Sequence, residues 1–481
     1  MERCAVRVLS PSIAVPVSLA ACHAAWLRAR RGKRPSGNQL AFEARWLDHL
    51  LDLKTALRAG HWQPRRTVSF VVNHPKTREI HAPDFSDRVV HHLLVAQLEK
   101  IYEPVFIHDS YANRLGKGSH AAVDRLESFV RAHNGVGWYL QLDIHNFFNT
   151  IHRPTLYAML CQRLDKSARA PATQRLAGSH ALALRSLCHK LLANKVTERV
   201  RDPLAAARLP AHKRLANARP GCGLPVGNLS SQFFANVYLN ALDKFVKHTL
   251  KCPHYVRYVD DFVLLAEDRD QLRQWQLQIE RFLGDVLRLK LKEGSRLEPM
   301  CQGIDFLGYR VFVHHRRVRP RVLAHCKAKL AAWALHHVKT TAQGIAIHAP
   351  PAALAQLQAM LGSYWGHFAH ANSVRLRRAI FERFAWLKIL FHLAPDGAIH
   401  PRWVLQGETF SAQVAALQSE WPDADGQIEK GWQMLPVPPQ RPSPSLVRRA
   451  RVQAKQTGWL RHGTRRREIT RWFVPHRSPE S

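Results

Sequence analysis

With 481 residues and 46% hydrophobic content the chain can bury about two or three packed cores, which excludes a wholly disordered polymer. Its formal charge of +35, from 71 basic against 36 acidic residues, exceeds what solubility asks for and predicts a polyanionic partner, nucleic acid before a membrane surface. No apolar run reaches the ~18 residues of a spanning helix, and eight cysteines without a Cys-x-x-Cys pair suggest neither a disulfide framework nor a zinc site.

Near the N-terminus, Arg3, Arg7 and the apolar Ile13 to Cys22 imitate a secretion signal. Pro11 and Pro16 interrupt that stretch and a basic run from Arg28 to Arg34 follows it, so a reduced cytoplasmic setting is expected. Ala20 to Arg31 predicts a helix. After a Gly-Lys-Arg-Pro-Ser-Gly break, Leu40, Phe42, Trp46, Leu50, Leu53 and Leu57 predict another over 39–58, with Trp46 in its core. Val68 to Pro75 reads as a strand ending in a turn, and Lys76 to Ala82 as its return. Alternation then puts Lys76 and Arg78 on one face, suited to a triphosphate or a phosphate backbone; a solvated strand face fits the spacing equally.

A helix from Asp87 to Leu98 precedes Ser110-Tyr-Ala-Asn-Arg-Leu-Gly-Lys-Gly-Ser-His120. This Gly-rich basic loop lacks the Walker A spacing, and its Arg114 and Lys117 are expected to grip backbone phosphates. Trp138 to Phe148 then forms a buried strand that ends in Asp143, ahead of Phe147 and Phe148. Residues 165–220 are Ala-, Arg- and Leu-rich and predict helices. A turn-rich run from Gly221 leads into a long helix over 231–250.

Tyr255-Val-Arg-Tyr-Val-Asp-Asp-Phe-Val-Leu-Leu-Ala266 reads as a hairpin turning at Asp260-Asp261, an unusual choice where Asn-Gly or Asp-Gly is favoured. Two carboxylates about 4 Å apart repel by roughly 4 kcal/mol at an effective dielectric of ~20. A solvated acidic turn is one explanation, and a divalent cation that offsets the repulsion is the other. Asp143 is the candidate third ligand. Three carboxylates from two strands suit two-metal phosphoryl transfer, in which one Mg²⁺ activates a sugar hydroxyl and a second neutralises leaving pyrophosphate. Farther on, Gln271 to Leu287 predicts an amphipathic helix, Leu287 to Lys292 a strand with a basic face, and Ile304 to Phe312 a hairpin. Helical patterns then dominate 321–394. A composition shift at Pro395-Asp-Gly opens a segment with a Pro-rich linker (436–444) and a tail mixing Arg with Trp459, Trp472 and Phe473. Such a tail suits single-stranded nucleic acid or simple solvation.

Taken together in chain order, these motifs resemble those of reverse transcriptases over about residues 20–390. Asp143 with Phe148 five residues on is similar to the first palm motif, Leu224-Pro-Val-Gly-Asn-Leu-Ser-Ser-Gln232 to the second, and Tyr258-Val-Asp-Asp261 to the third. Phe306-Leu-Gly-Tyr309 resembles the primer-grip turn and Leu361 to His370 a thumb helix. The resemblance implies an α+β right-hand polymerase fold. Its parts would be an N-terminal helical extension (1–60), fingers (61–137), a palm with an antiparallel sheet (138–312, helical insertion at about 165–220), a helical thumb (313–394) and a basic C-terminal extension (395–481).

The resemblance also implies roles for single residues. Asp143, Asp260 and Asp261 would be catalytic ligands for two Mg²⁺; Lys76, Arg78, Phe148, Val226 and Gln232 would meet the dNTP, with Phe148 rejecting a ribose 2′-hydroxyl; Tyr258 and Gly308 would join Arg114 and Lys117 on nucleic acid. Its partners would be an RNA template, a DNA or RNA primer and dNTPs. Val226, where intron and retroviral enzymes usually carry Gln, and the ending Ser231-Gln232 look like the diversity-generating retroelement type of the bacterial and phage, group II intron-like superfamily. That type copies a template-repeat RNA with errors at adenines for mutagenic retrohoming, alongside a small basic accessory protein. A defence-associated or other orphan bacterial reverse transcriptase is the alternative, and a non-catalytic RNA-binding scaffold a more distant one. The Lys that the family often places near 290 is replaced by Gly294-Ser295, so either Lys292 serves as proton donor to pyrophosphate or that role is absent.

Overall fold

The computed structural model describes residues 15–32, 35–73, 76–170, 177–196, 200–201, 203–341 and 344–402; the tail with its predicted aromatic and basic mixture lies outside them. The described residues form two compact units divided between Arg319 and Pro320.

The first unit opens with α1 (Leu19–Arg30), α2 (Gly37–Ala44) and α3 (Trp46–Arg58). On α1 the buried residues Cys22, Ala25, Trp26 and Ala29 follow helical spacing, and the small ones let it pack closely against a later helix. The single helix expected over 39–58 is broken at Arg45, whose φ of −133° and ψ of 47° leave the helical range. Trp46 is not in the core: it is 37% exposed and stacks on Trp26 with ring centroids 5.0 Å apart.

β1 (Thr67–Val72) and β2 (Arg78–Pro83) pair antiparallel from Thr67↔Pro83 to Val72↔Arg78. Next comes α4 (Phe85–Tyr102), N-capped by Asp84 and buried on several sides, as a central helix must be. α5 (Ser119–Ala132) precedes β3 (Trp138–Asp143). After it lie α6 (Phe147–Thr150), α7 (Arg153–Ala168), α8 (Gly178–Ala193), α9 (Pro203–Ala207) and α10 (Leu229–Lys244), which ends in one π-helical turn, Phe245–Thr249. α10 packs on α4, where buried His91 and Ser230 share a 2.7 Å hydrogen bond.

β4 (Tyr255–Tyr258), β5 (Asp261–Ala266), α11 (Arg269–Leu287) and β6 (Arg296–Pro299) complete a four-stranded antiparallel sheet in the order β4-β5-β3-β6. α11 lies against β3 and β5 and buries Leu272, Trp275, Ile279, Leu283 and Leu287, one stripe of a 3.6-residue period. The strand expected over 287–292 is not formed. Arg288 ends α11 at φ 52°, and a single bridge, Ile144↔Leu291, together with the Lys292–Asp143 ion pair joins that segment to the end of β3. A second sheet, β7 (Ile304–Phe306), β8 (Tyr309–Val311) and β9 (Arg316–Val318), closes the unit.

The second unit contains α12 (Pro320–His337), the hairpin β10 (Val338–Thr341) and β11 (Gly344–Ile347), α13 (Pro351–Ala369), α14 (Val374–Arg383), α15 (Leu387–Leu390) and the hairpin β12 (Phe391–Leu393) and β13 (Ile399–Pro401). Helical periodicity is legible there, but the two hairpins are not. Pro395-Asp-Gly, expected to open a new segment, lies in the turn of β12 and β13. Gly397 there takes φ +78° and its carbonyl accepts from Trp365 Nε1 and Arg377 Nη1.

Candidate active site

The sheet brings the three aspartates together by register. Asp143, last in β3, stands opposite Asp261, first in β5, and Tyr258, last in β4, also pairs with Asp261. The turn therefore consists of Val259 and Asp260, one residue earlier than the Asp-Asp turn expected from sequence. Its positive φ falls on Val259, at +58°. A β-branched residue held there is a strained exception of the kind that collects at functional sites.

Burial raises the Asp260 carboxyl to about 6, helped by the charge of Asp143, while Arg78 and Lys76 pull the other way. Asp261 is likewise raised to about 6, by burial and by the charges of Asp143 and Asp260, against a hydrogen bond from Gln141 and the charge of Arg319. Gln141 Nε2 donates to Asp261 Oδ1 at 3.0 Å, and Lys292 Nζ lies 3.1 Å from Asp143 Oδ2. With two carboxylates turned toward these partners, no three His, Cys, Asp or Glu side chains among the described residues converge closely enough to hold a metal ion. The donor set still fits a hard divalent cation in chemistry. The donors are oxygen only, and Asp260 and Asp261, whose ionised forms are disfavoured by burial and by neighbouring negative charge, gain most from added positive charge.

Lys76 and Arg78 are exposed, and both act electrostatically on Asp260. The strand argument holds only for Arg78, since β2 begins there and Lys76 belongs to the preceding turn. Val226 comes to the same hairpin: its carbonyl accepts from His81 N at 2.8 Å. The approach needs Gly227, because a Cβ there would meet Ile80 Cγ2 at 2.9 Å and His81 O at 3.2 Å. Phe148 lies half-buried on α6, with its carbonyl accepting from Leu224 N at 2.7 Å. Gln232 is half-buried in the first turn of α10. Tyr258 closes β4, and Gly308 forms with Leu307 a two-residue turn in which both φ values are positive, +92° and +46°. That is the type I′ arrangement of tight hairpins.

Arg114 has a different job from the one expected. Its guanidinium points inward, donating to Glu103 and to the carbonyls of Ile107 and Ser110, and its side chain is only 7% exposed. Lys117 donates to His108 O at 3.0 Å and lies over the Tyr111 ring. Arg114→Ala is expected to destabilise the protein by about 2 kcal/mol, since it leaves two carbonyls and a carboxylate without their donor. Thermal melting checks this, and an unchanged midpoint would restore a surface role for Arg114.

Sequence reading missed Gln141, Arg319 and Arg257. Period-two alternation could have found the first, because Gln141 shares a strand face with Asp143. Arg319 couples to the site through the second hairpin, where its N–H donates to Gly308 O at 3.0 Å.

Residues 72–311 match the family model described as reverse transcriptase (RNA-dependent DNA polymerase). The group II intron-encoded protein LtrA of Lactococcus lactis subsp. cremoris is 24% identical over 324 residues, covering 54% of this chain and 49% of that protein. Protein YkfC of Escherichia coli K12 is 21% identical over 317 residues, 57% and 74% of the two chains. This chain thus spans about half the length of the first of these relatives. A telomerase structure from Candida albicans, with a fragment of telomeric RNA, aligns at TM-score 0.36 and 11% identity over 71% of this chain and 61% of that one. The matched region takes in the four-stranded sheet, all three aspartates and the turns at Val259 and at Leu307-Gly308. This chain carries a reverse transcriptase domain over residues 72–311, with group II intron-encoded homologues.

Proposed function

We propose that the chain is an RNA-directed DNA polymerase of the diversity-generating retroelement type, which copies a template-repeat RNA into cDNA with errors concentrated at template adenines. The polymerase reading is carried by Asp143 and Asp261 in register with Asp260 at the adjoining turn. In this reading residues 61–137 are fingers, 138–312 palm and 313–394 thumb. Asp143, Asp260 and Asp261 would hold two Mg²⁺, which supply an activated primer hydroxyl and neutralise developing phosphate charge. Lys76 and Arg78 bind the triphosphate. Lys292, drawn off Asp143 when that carboxylate turns to a metal, would give a proton to pyrophosphate, a reading supported by its position 3.1 Å from Asp143. Tyr258, Gly308 and Lys117 serve template and primer.

The retroelement type is supported by Val226 and Gln232 around the turn that docks on β2. Val226 offers the nascent base pair less surface than Gln and no side-chain hydrogen bond, so mispairs are rejected less strongly. Val226→Gln adds a bond of about 0.5–1.5 kcal/mol and should lower adenine errors by roughly threefold to tenfold. Sequencing of cDNA made in Mg²⁺ on a mixed-sequence RNA checks both claims. No extension would remove the polymerase reading, while extension with errors spread evenly over the template bases would leave an orphan reverse transcriptase.

A further inference from the structure

β4 carries a charge where its neighbours are apolar: Arg257 and its partner Asp243 on α10 both have 0% side-chain exposure. All five N–H donors of the guanidinium are used. Nε reaches Asp243 Oδ1 at 2.7 Å, and Nη2 reaches Asp243 Oδ2 at 2.6 Å and Ser110 Oγ at 2.9 Å. Nη1 reaches Asn236 Oδ1 at 3.4 Å and the carbonyl of Val259 at 2.8 Å. Tyr255 Oη donates to Asp243 Oδ1 at 2.8 Å, and the Arg257 backbone is pinned between Asp109 O and Tyr111 N.

A buried ion pair is a poor source of stability compared with apolar packing, so its value lies in what it specifies. Of the bonds that leave the pair, one from Nη1 ends on the carbonyl of Val259, whose φ of +58° is disfavoured for a β-branched residue and which precedes Asp260. We propose that Arg257, oriented by Asp243 and Tyr255, is a positioning residue that holds the Val259 peptide in its left-handed conformation and thereby aims the Asp260 carboxylate. Glycine takes that conformation without side-chain cost, so Val259→Gly should make the clamp dispensable.

The claim rests on the polymerase reading for its activity readout and on Asp260 as a metal ligand for its Mn²⁺ readout; a wild type that binds no Mn²⁺ overturns it. Tyr255→Phe and Arg257→Lys, each with and without Val259→Gly, are titrated with Mn²⁺ alone by electron paramagnetic resonance and assayed for primer extension. The clamp variants should bind Mn²⁺ about tenfold more weakly, as losses behind a metal ligand do. Their kcat should fall with KM for dNTP unchanged, and Val259→Gly should restore both. Unchanged Mn²⁺ binding in Tyr255→Phe, or no restoration by Val259→Gly, overturns the claim. If Arg257→Lys does not fold, the Tyr255→Phe pair decides alone. A wild-type protein that extends no primer ends the polymerase reading, and the Mn²⁺ titration still judges the clamp.

Discussion

Asp260→Asn should abolish nucleotide incorporation, by about a thousandfold or more, and at pH 8 without divalent metal it should melt at a higher temperature than the wild type. The first effect follows from the proposed role of Asp260, because Asn would hold less firmly a metal whose charge stabilises the transition state. The second follows from the cost of keeping the carboxylate charge in place. Burial and the neighbouring Asp143 raise the Asp260 carboxyl in the folded protein to about 6, whereas an unfolded chain gives about 3.9. A raised carboxylate pKa means that the native state prefers the neutral form, so ionisation is a penalty paid in full above the folded value. It shrinks as pH falls through 6 and is gone below 4. After allowance for solvent screening the gain in Asp260→Asn is about 1–2 kcal/mol at pH 8 and nothing at pH 4. Melting curves in EDTA at pH 4, 6 and 8, with primer extension alongside, test both parts. A variant less stable than wild type at pH 8, or a difference constant across pH, would show that the carboxylate is not strained by its surroundings. Asp143→Asn should lose activity in the same way.

The same residues show what a sequence can and cannot disclose. β3 and β5 were legible because they are largely apolar runs that meet their carboxylates at one end, and register then brings Asp143 to Asp261. The turn between β4 and β5 was not. Its signature would be a glycine or asparagine at the position of positive φ, and Val259 occupies it because a guanidinium holds its carbonyl. A lone Arg in an apolar strand announces that a partner exists, but not that the partner is Asp243 on a helix fourteen residues earlier. Arg114 misled for the related reason that a basic residue in a glycine-rich loop looks solvent-facing, while tertiary structure supplies Glu103 and two carbonyls to turn it inward. Trp46 obeyed helical spacing and still came out at the surface, because a break at Arg45 reset the phase of the helix. Local patterning thus located the carboxylates, and long-range hydrogen bonds decided how they are held.

Phe148→Ala should relax sugar selection, with ribonucleotide kcat/KM rising about 10- to 100-fold relative to deoxynucleotide. A ring selects against a 2′-hydroxyl only if it cannot step aside, so its support matters as much as its size. α6 starts behind Asn146, held in the left-handed region at φ 47°, and is tied down on both sides. The Phe148 carbonyl accepts from Leu224 N at 2.7 Å, Ile151 O from Gly223 N at 2.9 Å, and Asn149 Nδ2 donates to His212 O at 3.1 Å. The ring itself lies edge-on to Phe147, centroids 5.5 Å apart. Forcing an extra oxygen into space bounded by such a ring costs about 1–3 kcal/mol, which converts to the selectivity expected. Truncation also removes packing, so single-turnover incorporation must be compared for both sugars on one template. A loss shared equally by the two would mean that Phe148 supports α6 and does not sort sugars, whereas a rise confined to ribonucleotides requires the ring to stand where the 2′-hydroxyl would go.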